Sequence, residues 1–329
     1  MNENKISVND LVRIYINSFY LISLFGLLQF ALGLFGINLF VQQWWAANIP
    51  RINGFSYEPS FFATYLIIGW SILFYLYYNK IKVVTSQNFK FYVITLTLLL
   101  SSSRTGIAIS IASVFLYIFI VFVENIFSGK ISAKSFYFIT GFVTLLIICA
   151  CLFIINFDKF AFMLNGIGSH SSNDRIYGTL RTFNTFLESP WIGYSLGGIA
   201  PAIAQLQGVI VENQTQAKEF EGVCVPIEIL AASGIVGVIF FILFFQRLLL
   251  KPINFAKILF KRNLIFESRI LKAFAWALII EMIMLCFIQN ILRPYVWAHI
   301  ALLNFLYFKY EDKFKLIEPE ENNGIRISN

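Results

Sequence analysis

Five arginines stand apart from the rest of the charge in this chain: Arg51, Arg104, Arg175, Arg181 and Arg293. Each lies beside a long apolar run or in the one long polar stretch, whereas the other polar breaks carry mostly lysine. A planar guanidinium grips phosphate or carboxylate through two parallel hydrogen bonds, which the point charge of lysine does not reproduce. Brought to one place, the five would bind an anion; the bland alternative is snorkelling at an interface, or pairing with Glu58, Asp174 and Glu188. Glu58 adds a carboxylate in Arg51-Ile-Asn-Gly-Phe-Ser-Tyr-Glu58-Pro59-Ser60. It could accept a proton from a sugar hydroxyl, or serve only as a helix-terminal carboxylate near the turn that Pro59 and Ser60 open. His170, five residues before Arg175, is a further binding candidate; the other histidine is His299, and a lone histidine is more often framework than ligand. No Asp-x-Asp pair and no metal-ligand spacing occurs, so neither a metal nor a cofactor is expected.

What must position these residues is a membrane bundle. Hydrophobic residues make up 58% of the 329 and charged ones 13%, about half the share in soluble domains. Mean hydropathy is +0.72. Apolar runs long enough to span a bilayer recur, and helices satisfy their own backbone there. The expected fold is therefore all-α, a polytopic helical membrane protein forming a single integral membrane domain over 1–329. Soluble enzymes and nucleic-acid-binding domains are excluded. About eight transmembrane helices are expected, at 15–41, 61–78, 91–103, 105–123, 136–156, 223–248, 273–291 and 295–310. The first run is too long for a signal peptide and lacks a clear cleavage site, so it is read as a retained span. The third is expected to continue into Ser101-Ser102-Ser103. The four cysteines lie in or beside apolar runs and read as small core residues.

Lysine-rich breaks at 79–90, 124–135, 249–272 and the tail fall on one side when the spans alternate. The positive-inside rule makes that side the cytoplasm. Both termini are then cytoplasmic, and the loop 157–222 and the five arginines face outward. Within that loop Ile176, Leu180, Phe183 and Leu187 fall within about 60° on a helical wheel. This is an amphipathic helix capped at Ser172 or Asn173 and stopped by Ser189-Pro190, with its arginines turned from lipid. Glu281, in mid-span, is a functional candidate by default.

Four stretches, Arg51–Ser60, Ser101–Gly106, Asn173–Gly198 and Glu228–Gly237, together resemble the bacterial O-antigen polymerase and O-antigen ligase superfamily. Glu58-Pro59-Ser60 is similar to the polymerase branch. Ligases usually carry a His-Asn pair about eleven residues before the glycine matching Gly234, where this chain has Val223-Cys224. Family members generally have further spans before the Arg51 motif, so the resemblance reads the chain as N-terminally truncated or as a shortened member.

The resemblance implies a metal-independent glycosyltransferase of the cytoplasmic (inner) membrane. It would pass a growing O-antigen, capsule or exopolysaccharide glycan from undecaprenyl pyrophosphate to a lipid-linked repeat unit. Glu58 and Arg175 are then expected to be catalytic, with Arg51, Arg104, Arg181, Arg293 and His170 binding pyrophosphate or glycan. Implied partners are the undecaprenyl-pyrophosphate-linked oligosaccharide, membrane lipid, a chain-length regulator and a flippase, with no nucleic acid. The competing readings are a flippase for lipid-linked oligosaccharides and an O-antigen ligase.

Overall fold

The computed structural model describes residues 7–40, 43–45, 49–127, 169–210, 213, 216, 220, 224–288 and 291–324, the side chains of 45, 169–175 and 317–324 excepted. Most of the described residues are helical. In order come α1 (Val8–Leu34), a two-stranded antiparallel hairpin of β1 (Trp44–Trp45) and β2 (Ile49–Pro50), α2 (Pro59–Tyr78), α3 (Gln87–Leu100) and α4 (Arg104–Phe127). After these follow α5 (Ser169–Glu188), α6 (Ile199–Leu206), α7 (Val225–Lys261), α8 (Ile265–Leu285) and α9 (Pro294–Gly324). Among the described residues α1, α2, α4 and α7 are long and apolar enough to cross a membrane. The protein is a helical membrane protein, as its composition requires.

Helices α2 and α8 pack on each other as the central pair, with α1, α3, α4, α7 and α9 around them. Every residue of α2 from Leu66 to Leu76 is buried, as is every residue of α8 from Ala273 to Leu278. A helix apolar all round belongs in the interior. The outer helices bury one stripe and leave large apolar side chains exposed, among them Leu21 and Leu28 of α1, Phe119 of α4 and Phe240 of α7. Such faces are stable against hydrocarbon, and lipid is the solvent that their composition calls for.

Four expected boundaries are corrected. The first helix stops at Leu34, short of residue 41, because Gly36 takes a φ of +79° and turns the chain toward the hairpin although the sequence stays apolar. Helix α3 does not continue into the serines: it ends at Leu100, and Ser102 takes a left-handed φ of +53°. Ser103 Oγ then accepts from Gly106 N at 3.2 Å and caps α4. At 14 residues α3 rises about 21 Å, short of a full hydrocarbon core. Helix α7 runs past the expected end at 248 to Lys261, and α8 begins at Ile265 rather than 273. The span expected at 136–156 lies outside the described residues.

Helix α7 is broken once, at Gly234, whose φ of +62° and ψ of −170° only glycine adopts without strain. The break frees backbone groups that the loop after α5 then satisfies. Tyr194 N donates to Ala231 O at 2.9 Å, Ser195 N to Ala232 O at 2.7 Å, and Ile235 N to Pro190 O at 2.8 Å. A Cβ at Gly234 would strike the backbone of Trp191. Gly234→Ala is therefore expected to cost roughly 2–5 kcal/mol from strain and overpacking. A thermal melt of the detergent-purified full chain would register this as a clear fall in Tm, and an unchanged Tm would contradict the docking described.

Candidate functional site

The segment between the hairpin and α2 is held from three sides. Gly33 of α1 lets β2 dock, since a Cβ there would lie 2.6 Å from the Pro50 ring. Gln29, fully buried on α1, accepts from Asn53 N at 3.1 Å and Gly54 N at 3.0 Å, and its amide donates to Leu39 O at 2.7 Å. The Asn53 side chain donates to Phe40 O and Ser56 O. Buried backbone groups that a turn cannot pair internally are thus satisfied by two amide side chains.

Arg51 closes this loop onto the next hairpin of helices. Its Nε donates to Ser101 O at 3.3 Å, Nη2 to Ser102 O at 3.0 Å and Nη1 to Gln43 Oε1 at 2.9 Å. Two of these acceptors are carbonyls that the end of α3 leaves open. Arg104, exposed as the first residue of α4, faces the same region. Burial first, and the charge of Arg104 second, lower the pKa of Arg51 from its ordinary value, while the Glu58 carboxylate acts the other way. The guanidinium remains charged at any physiological pH.

Glu58 stands at the N-cap of α2, where its backbone oxygen accepts from Phe61 N and Phe62 N. Its Oε2 accepts from Ser60 Oγ at 2.9 Å. Among the described residues it makes no direct ion pair with Arg51, because that guanidinium is engaged by Gln43 and the serine carbonyls. Arg293 lies just before α9 with its guanidinium carbon 3.7 Å from the centre of the Phe61 ring, one turn from Glu58. Its buried Nε has no hydrogen-bond partner among the described residues. Arg51, Arg104, Glu58 and Arg293 therefore converge at the N-terminal end of α2.

Arg181 belongs to a second group. Helix α5 packs on α6 and α7 through Phe186, which joins Ile199, Ile203, Ala231 and Ala232 in a small separate core. Gly178, Thr182 and Thr185 are also buried on that side, while Ile176, Leu180, Phe183 and Leu187 form the exposed apolar stripe that their spacing predicts. The helix begins at Ser169, ahead of the expected cap at Ser172 or Asn173. Arg181 is half-buried, and its Nε is buried without a partner among the described residues. Arg175 and His170 lie on the same helix, with side chains outside the described residues.

Sequence reasoning missed Gln29, a single amide in an apolar run. It also missed the buried link between Tyr15 OH and His299 Nδ1, 3.1 Å apart across 284 residues of sequence. His299 Nε2 donates to Phe274 O at 3.0 Å, so this histidine is framework rather than ligand. Glu281 is fully buried on α8, with neither carboxyl oxygen hydrogen-bonded among the described residues.

Arg51 and Arg104 have separable duties. Arg51→Lys is expected to lose the three-way staple and lower stability by roughly 1–3 kcal/mol, because buried carbonyls are left unpaired. Arg104→Ala, at an exposed helix start, is expected to stay within about 0.5 kcal/mol of wild type. Thermal melts of both variants in the same detergent check this; equal losses would contradict the assignment.

No curated protein matches the chain. The family model Wzy_C, described as O-antigen ligase, matches residues 89–242. That segment runs from α3 to beyond the break in α7 and takes in Arg104, Arg175 and Arg181, with Arg51, Glu58 and Arg293 outside it. The match covers just under half of the chain and supports the likeness to the O-antigen polymerase and ligase superfamily.

Proposed function

We propose that the protein is a polymerase of bacterial surface polysaccharide in the cytoplasmic membrane, acting at its outer face. The observation that carries this reading is the convergence of Arg51, Arg104 and Arg293 around Glu58 at one end of α2. Three cations gathered beside a carboxylate that is already hydrogen-bonded to serine repel one another unless an anion joins them. The unpartnered Nε atoms of Arg181 and Arg293 want acceptors too, since buried polar groups are normally satisfied.

A lipid pyrophosphate supplies both. In this reading the growing glycan is held through its undecaprenyl pyrophosphate by Arg104 and Arg293, with Arg51 fixing the frame and Arg175, Arg181 and His170 on the glycan side. Glu58 takes the proton from the acceptor sugar hydroxyl of an incoming lipid-linked repeat unit. The freed oxygen attacks the anomeric carbon, the bond from that carbon to the pyrophosphate oxygen breaks, and the leaving charge settles on guanidinium groups. Donor and acceptor differ only in glycan length, so a chain-length regulator and a flippase are natural partners.

The Val223-Cys224 pair where ligases carry His-Asn favours the polymerase over the ligase. Deleting the gene in its host and resolving the surface polysaccharide on a gel tests the proposal. The ladder is expected to collapse to single-repeat material, to return with wild type, and to fall roughly 10²–10³-fold in polymer yield with Arg104→Ala. Lipid-linked units trapped on the inner face would instead mark a flippase. A full-length polymer that fails to reach its final acceptor would mark a ligase.

A further inference from the structure

The bundle's other end carries a different charge set. Arg13 Nε donates to Val83 O, Lys90 Nζ to Asn17 Oδ1 at 2.7 Å, and Lys313 pairs with Glu267 at 2.7 Å, so the starts of α1, α3 and α8 and the end of α9 share this lysine-rich end. Helices α7 and α9 approach it side by side and leave a groove of about 660 Å³ between them. One wall is Phe240 and Phe244 of α7, the other Ile300 and Phe308 of α9, and Trp297 stands at the end away from the lysines. Phe240 is 68% exposed and Phe308 56%, so these walls have no cover among the described residues.

The groove runs over twelve residues of each helix, about 16 Å at the α-helical rise. That is close to half of a hydrocarbon core of about 30 Å, the depth of one leaflet. Arg247 and Lys251, one turn apart on α7, line its lysine-rich end, and both are exposed. Neither makes an ion pair with a described residue. Glu311, which lines an adjoining groove with both cations, accepts from Tyr307 Oη at 3.4 Å and pairs with Lys315 Nζ at 3.5 Å.

We infer that this groove is a binding site for an anionic phospholipid of the leaflet at the lysine-rich end. The phosphodiester sits between Arg247 and Lys251, and an acyl chain lies along the aromatic and aliphatic walls toward Trp297. Charge and length commit the groove to this occupant: an apolar slot of one-leaflet depth closed by two cations fits a single-headed anionic lipid. A helix of a second copy would leave both charges unmatched. The site lies away from the arginine cluster and stands whether or not that cluster is catalytic.

Native mass spectrometry of the full chain in detergent tests the inference, with dioleoylphosphatidylglycerol and dioleoylphosphatidylcholine titrated in parallel. At least one phosphatidylglycerol adduct is expected in preference to phosphatidylcholine. The preference should fall roughly tenfold or more in Arg247→Gln/Lys251→Gln, since each surface cation contributes on this scale. Ala301→Trp fills the groove without touching charge and should remove the adduct as well, with helical circular dichroism confirming a folded chain. Lys80→Gln/Lys82→Gln removes as much charge from the same end and should leave the adduct in place. Equal uptake of the two lipids would overturn the inference, as would a preference that survives Arg247→Gln/Lys251→Gln or one that Lys80→Gln/Lys82→Gln abolishes equally. A dimer that only Ala301→Trp dissolves would assign the groove to a second copy, and tighter binding of undecaprenyl phosphate than of phosphatidylglycerol would assign it to a polyprenyl lipid.

Discussion

Helix α2 has no free face over most of its length, and this burial decides where charge can be placed. Its central turns are enclosed by α8, α3, α4 and α1, so polar chemistry is confined to its two ends. At the start stand Glu58 and Phe61, and three segments bring an arginine to that level: Arg51 from just after β2, Arg104 from the start of α4 and Arg293 from the turn before α9. At the far end the chain places Lys80 and Lys82. A rigid, fully packed helix holds the Glu58 end still, since interiors packed at crystal density do not deform continuously. The loop that carries Arg51 gains the same rigidity through Gln29 and Asn53.

The break at Gly234 does for the second half what α2 does for the first. It converts helix backbone into a docking edge for residues 190–195, and α5 and α6 are carried with that loop against α7. Two of the stretches that carry the resemblance are thereby one structural unit, joined by backbone hydrogen bonds that need no particular side chain. Glycine at 234 is required because the loop backbone lies where a Cβ would be. The outcome is that Arg181 rides on a helix whose buried face is fixed and whose apolar stripe remains exposed.

Much of this was legible in the sequence, and the exceptions have physical reasons. Hydropathy located the helices because burying a helix in lipid demands twenty apolar residues, whatever their order. It misplaced the end of α1 because residues 35–41 stay apolar while Gly36 turns, and hydropathy carries no information on φ. The unequal use of arginine and lysine picked out five residues, of which Arg51, Arg104 and Arg293 lie near the start of α2 while Arg175 and Arg181 lie on α5. Arg51 proved more structural than its type suggests, because the carbonyls it binds belong to a helix end fifty residues away. Gln29, the pairing of 190–195 with Gly234, and the Tyr15–His299 link depend on contacts between distant segments, and no local pattern announces them.

The proposed polymerase activity requires above all that the guanidinium groups around Glu58 hold a lipid pyrophosphate. Equilibrium binding of undecaprenyl pyrophosphate to the purified full chain tests it most directly, comparing wild type with Arg104→Ala/Arg293→Ala and using undecaprenol as the uncharged control. Loss of two charge-assisted contacts should weaken pyrophosphate binding by roughly tenfold or more while undecaprenol binds both proteins alike. Equal affinity of the two proteins for undecaprenyl pyrophosphate would contradict the account.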